Sequence, residues 1–165
     1  MNDVKSLAKS FVYAFRGVRW AVCHERNFRI HITCMLYMMY FLLRYDFFVV
    51  SKTEFSILLL ACALVLGGEL INTGIEKADD TVSKERRKTI EISKNAAAGA
   101  VLIFAIFSAM IGVVIMWQPE AFKALFNHYV ENPVCIAVFG LSLVVALLFI
   151  FKINIFIKLI RGKKK

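Results

Sequence analysis

Four long apolar runs decide what this chain can fold into. The first extends from about Ile30 to Val50 and is broken late by Arg44 and Asp46. The second runs from Phe55 to about Ile75 with Glu69 inside it, and the third and fourth, Asn95 to Pro119 and Asn132 to Phe151, carry no formal charge. Each has roughly the 20 residues that a helix needs to cross about 30 Å of hydrocarbon. Backbone N–H and C=O groups cannot stay unpaired there, so each run predicts an α-helix. The rest of the composition agrees. Of 165 residues, 59% are hydrophobic and 15 are Phe, more apolar surface than a soluble domain of this size can hide. A disordered chain, a collagen-like fibre and a disulfide-stapled secreted domain are all excluded. The expected fold class is an all-α integral membrane protein.

Charge supplies the orientation. The net charge is +9, from 21 Lys and Arg against 12 Asp and Glu. Lys5, Lys9, Arg16, Arg19, Arg26 and Arg29 precede the first run, Lys84, Arg86, Arg87, Lys88 and Lys94 stand between the second and third, and the chain ends on Arg161-Gly162-Lys163-Lys164-Lys165. The other two links hold only Lys52 and Lys123. Positive loops stay in the cytoplasm, so both termini are expected there. The Ser51-Lys52-Thr53 link predicts an antiparallel hairpin of the first two spans. No basic surface interleaved with aromatics stands apart from the apolar runs, which argues against a nucleic-acid partner. Cys23, Cys34, Cys62 and Cys135 form no CxxC pair and read as small hydrophobes. The polar, basic opening lacks the charge-then-apolar layout of a cleavable leader.

Ahead of the first span, Leu7, Phe11, Ala14, Phe15, Val18, Ala21 and Val22 recur at helical spacing, with Lys5, Lys9, Arg16 and Arg19 opposite. This predicts an amphipathic helix over 4–28 lying in the headgroup plane; packing against another protein is the alternative. Spans are expected at about 30–50, 54–82 and 95–117. Residues 118–165 form an extra C-terminal transmembrane helix with a basic cytoplasmic tail. The small residues Ala96-Ala97-Ala98-Gly99-Ala100 favour close helix packing at the start of the third span.

The chemistry concentrates at the end of the second span. Glu69, Asn72, Glu76 and Asp80 fall at i, i+3, i+7 and i+11, one stripe of a helix advancing about 100° per residue. An acidic group inside a membrane helix costs about 2.5–3.5 kcal/mol at the centre and less near the interface. A column of them calls for something to neutralise it: a hard divalent cation such as Mg²⁺, or shared protons. Lys94 stands where the third span begins, and a helix start welcomes anions. Carboxylates suited to a metal beside such a start point to a phosphate–metal site at the membrane surface. Glu25, among Arg26 and Arg29, reads as a local ion pair on pattern alone. Phosphate-cradling Gly-rich loops, HExxH and GxSxG are absent from the sequence, and His24, His31 and His128 show no ligand spacing.

Four blocks in this order and spacing resemble the prokaryotic diacylglycerol kinase family over about Lys5 to Trp117. They are Ser10-Phe11-Val12-Tyr13-Ala14-Phe15-Arg16-Gly17, Glu25-Arg26-Asn27-Phe28-Arg29-Ile30-His31, Glu69 to Asp80, and Lys94-Asn95-Ala96-Ala97-Ala98-Gly99-Ala100-Val101. The resemblance implies a membrane lipid kinase domain over 1–117, a multi-pass protein of the bacterial inner membrane, and a homotrimer with composite active sites. ATP would be the co-substrate, Mg²⁺ the cofactor and a membrane lipid alcohol the acceptor. By the same resemblance Glu69 is the catalytic base, Glu25 and Glu76 hold Mg²⁺, and Asn72 supports them together with Asp80. Tyr13, Glu85, Arg87, Lys94 and Asn95 meet the nucleotide; at Asn95 members usually carry Asp. The Glu25–His31 block resembles the branch acting on undecaprenol, with diacylglycerol as the alternative acceptor. Two other readings of the column are a proton- or cation-conducting oligomer and a member that binds lipid or nucleotide without turnover.

Overall fold

The computed structural model describes residues 2–79 and 87–162, with side chains described over 6–79 and 88–151. Among the described residues every regular element is a helix: α1 (Asn2–His24), α2 (Arg26–Arg44), α3 (Lys52–Asp79), α4 (Arg87–Met116), α5 (Pro119–Glu131) and α6 (Pro133–Gly162). Three of these are long and apolar enough to cross a membrane: α3, α4 over Lys88–Met116, and α6 over Pro133–Phe151. The fold is therefore an all-α membrane architecture, as the apolar runs predict. α2 is 19 residues long, about 28 Å at 1.5 Å per residue. Arg26, Asn27, Arg29 and His31 in its first turns keep its hydropathy below that of the other three.

Helix ends follow local chemistry. Glu25 is extended (φ −100°, ψ 114°), so residues 26–28 open α2 rather than continue the surface helix. Tyr45 is extended too, and the connection to α3 spans 45–51, with Lys52 and Thr53 already helical. Ser51 caps α3 through a reciprocal box. Its N–H and Oγ donate to Glu54 Oε2 (2.8 and 2.7 Å), and the Glu54 N–H donates to Ser51 Oγ at 3.2 Å, which satisfies donors that a helix start leaves open. Pro119 stands in the first turn of α5 and Pro133 opens α6, the helix position where a missing N–H does no harm. α4 begins eight residues before Asn95, so the basic approach to the third span is itself helical.

Two helix pairs run antiparallel, α3 with α4 and α2 with α6. α3 meets α4 most extensively. Ser108 Oγ donates to the Ala61 carbonyl (3.1 Å), and the Phe104 ring packs so close over Gly68 that a Cβ there would lie 2.9 Å from Phe104 Cδ2. α6 lies along α2. The Arg29 guanidinium donates to the Ile150 carbonyl at one end, Tyr37 Oη shares a hydrogen bond with Ser142 Oγ (3.0 Å) midway, and Phe41 packs edge-on to Phe139 beyond. An apolar cavity of about 440 Å³ opens between these two helices, lined by Leu36, Tyr37, Phe139 and Val145 among others.

The bundle consequently has two chemically different ends. One gathers Arg29, Glu69, Glu76 and Lys94. The other gathers the α2–α3 connection and α5, joined by a two-way bond between Gln118 and the Val49 backbone (both 3.0 Å) and by a chain of hydroxyls from Tyr40 through Tyr45 to Tyr129 (3.3 and 3.1 Å). Leu58, Ala61 and Val65 are buried on α3, while α4 and α6 leave residues such as Leu102, Val114, Val134 and Leu141 largely exposed. Surface of that kind needs hydrocarbon or another protein beside it.

Candidate functional site

The column on α3 forms as its spacing requires, because α3 is one unbroken helix through Glu69, Asn72 and Glu76. Asn72 Nδ2 donates to Glu76 Oε1 at 3.1 Å, across one helical turn. Asn72 Oδ1 is buried and finds no hydrogen-bond partner among the described residues, nor does Asp79 Oδ2 two turns further on. Buried acceptors left open are uncommon in folded proteins. Acceptor oxygens of this kind suit a hard cation, and Mg²⁺ commonly takes only one or two carboxylates while phosphate oxygens and water complete its shell. Among the described residues no three His, Cys, Asp or Glu side chains converge into a metal cage.

Glu69 is set deeper. Its side chain is only 6% exposed, and its Oε1 lies 3.6 Å from Nε2 of His31, which reaches over from α2. Sequence spacing gave His31 no role, since the pair is 38 positions apart and only the α2–α3 packing brings it together.

α1 approaches the same end of the bundle. Lys77 Nζ sits 5.4 Å over the Trp20 ring, which is itself stacked on His24 (4.5 Å), so the end of α1 lies against the end of α3. Glu25 occupies the break between α1 and α2, half-buried, with no capping bond from its side chain. Arg29 is fully buried. Nε and Nη2 donate to the Ile150 carbonyl (3.1 and 2.9 Å) and Nη1 to the Val22 carbonyl (3.2 Å). Desolvation on this scale is tolerated because the charged donors are bonded.

The nucleotide-contact residues expected from the sequence are less gathered. Tyr13 is 64% exposed on α1 with Arg16 over its ring (5.8 Å), two turns before Trp20. Lys94 is half-buried and Asn95 exposed on α4. Asp80 and Glu85 lie outside the described residues, and of Arg87 only the helical backbone is described.

Comparison with known proteins agrees with the four blocks. The family described as prokaryotic diacylglycerol kinase matches residues 12–116. The chain is 34% identical to an undecaprenol kinase of Bacillus subtilis (strain 168) over 116 residues, covering 69% of this chain and 90% of that protein. It is 35% identical over 115 residues to a diacylglycerol kinase of Synechocystis (69% of this chain, 64% of the relative) and 34% identical over 111 residues to one of Helicobacter pylori strain J99 (65% and 81%). No solved structure matches. The family match ends at residue 116, before α5 and α6.

Proposed function

The chain belongs to the prokaryotic diacylglycerol kinase family and is a lipid kinase, and from that premise we propose that it transfers the γ-phosphoryl group of ATP to undecaprenol at the cytoplasmic face of the bacterial inner membrane. The observation that carries this reading is the buried Glu69 one turn from the Asn72–Glu76 pair, at the end of the bundle where the basic residues gather. Glu69 accepts the hydroxyl proton as the lipid oxygen forms its bond to the γ-phosphorus, the bond from that phosphorus to the bridging oxygen breaks, and ADP leaves. A base with its proton-accepting oxygen close to the nucleophile speeds such a step about 10²–10⁴-fold.

Phosphoryl transfer otherwise needs positioning and neutralised charge. Mg²⁺ bound with ATP supplies that neutralisation. Glu25 and Glu76 would hold it, with Asn72 orienting Glu76 and Asp80 in support. Lys94, Asn95, Arg87, Glu85 and Tyr13 act toward the nucleotide. Tyr13 is supported here by its family block alone. Burial of Glu69 on a membrane helix suits a substrate that stays in the bilayer.

Undecaprenol is preferred because the undecaprenol kinase relative is matched over 90% of its length. Diacylglycerol is the second reading, supported by two relatives of that name. The exposed apolar faces of α4 and α6 favour a homotrimer in which neighbouring subunits complete each site. Positive loops at the Arg29 end favour a cytoplasmic placement of that end and of both termini, with α2 as a further span.

The test is [γ-³²P]ATP with undecaprenol or dioleoylglycerol in mixed micelles with the purified full chain. Undecaprenol is expected to be labelled faster, in a Mg²⁺-dependent manner. Faster labelling of dioleoylglycerol selects the second reading, and no labelled lipid with either alcohol refutes both.

A further inference from the structure

Resting on the reading of Glu69 as the base, we infer that His31 is its positioning residue: Nε2 of His31 fixes Glu69 Oε1 so that the other carboxylate oxygen faces the acceptor hydroxyl. Three observations converge on this pair. The 3.6 Å separation from Nε2 to Oε1 is slightly long for a hydrogen bond, and contacts of this kind tighten when substrate closes a site. The neighbouring amide is engaged elsewhere, since Asn72 Nδ2 donates to Glu76. Both members of the pair are also held by their own surroundings.

On α2, Arg29 stands two residues before His31 and is anchored to the Val22 and Ile150 carbonyls. Thr33, two residues after, donates to the Arg29 carbonyl at 2.8 Å. The turn carrying His31 therefore has a fixed rotation about the helix axis. On α3, Gly68 immediately precedes Glu69 and sits against Phe104 and Val101 of α4, which fixes how deep Glu69 lies between the helices. A carboxylate has three side-chain torsions and two oxygens able to take a proton. A partner on one oxygen removes most of that freedom, as the orienting member does in nucleophile–base–orienter arrangements.

The experiment compares His31→Phe, which fills similar space without a donor, with His31→Gln, whose side-chain amide can donate to the carboxylate. Glu69→Gln is run beside them, all as full-length protein in mixed micelles with [γ-³²P]ATP, undecaprenol and dioleoylglycerol. H31F is expected to lose about tenfold or more in kcat with the KM for ATP held within about twofold, and H31Q to recover most of the loss. An inactive E69Q beside an H31F of wild-type kcat overturns the role of His31 and leaves the base assignment standing. An E69Q that turns over at the wild-type rate overturns the base assignment and the role of His31 with it. If H31F and H31Q both lose kcat, raise KM and melt at lower temperature, His31 is a packing residue and the inference fails.

Discussion

Arg29 and Ile150 are 121 positions apart, yet the guanidinium of the first donates twice to the carbonyl of the second, at 3.1 and 2.9 Å. A residue inside the family match is thus bonded to a helix that lies beyond it. With its third bond to the Val22 carbonyl, Arg29 ties α1, α2 and α6 at the end of the bundle where Glu69 lies.

Arg29→Ala should therefore loosen α6 from the rest. Hydrogen bonds from charged donors contribute about 1.5–3 kcal/mol each, so a loss of about 2 kcal/mol or more is expected in detergent, read as a lower melting temperature by circular dichroism. Arg29→Lys should recover only part of it, because a single ammonium lacks the planar fork that reaches two carbonyls on different helices. An unchanged melting temperature for R29A would show that the clamp contributes nothing.

Asn72→Ala removes the 3.1 Å bond that orients Glu76. Losing an orienting partner of a metal-holding carboxylate typically costs about tenfold or more in metal affinity or activity. The Mg²⁺ concentration for half-maximal lipid phosphorylation should rise by that order at fixed ATP. A Mg²⁺ dependence identical to wild type would separate Asn72 from the metal.

Gly68 tests the spacing of α3 and α4. An alanine Cβ would come 2.9 Å from Phe104 Cδ2 and 3.3 Å from Cε2, so the ring must move. Gly68→Ala should cost about 1–3 kcal/mol and lower turnover, since Glu69 follows directly. Phe104→Leu in the same protein should restore both, giving strongly non-additive melting temperatures. Simple addition of the two single effects would refute the contact as the cause.

At the far end, burial pushes the Tyr129 phenol above its ordinary value of 10.0, with the Tyr45 hydroxyl opposing. The folded state then keeps a proton that the unfolded chain releases. The stability associated with the neutral phenol is complete below about pH 10 and is lost as pH rises through the higher folded value. Thermal melts at pH 8 and pH 10.5 should show a drop that Tyr129→Phe reduces. An equal drop in both proteins would place the alkaline sensitivity elsewhere.

Much of this was legible in the residues. The apolar runs anticipate the long helices, and the i, i+3, i+7 spacing of Glu69, Asn72 and Glu76 anticipates their common face, because helical periodicity is a local property. Other features depend on tertiary packing. Nothing near Arg29 announces that its partner is a carbonyl on α6, and His31 meets Glu69 only because two helices fold together. The break at Glu25 has neither Pro nor Gly to mark it. α5 could have been anticipated from Pro119 and Pro133, which bracket a stretch whose apolar residues recur at helical spacing.

The Ser51–Glu54 cap has a consequence beyond its own turn. α3 continues without interruption for 28 residues, about 42 Å at 1.5 Å per residue, so it behaves as a single rod pinned at its start. How far along the span Glu69 sits is therefore decided where the rod begins, at its opposite end.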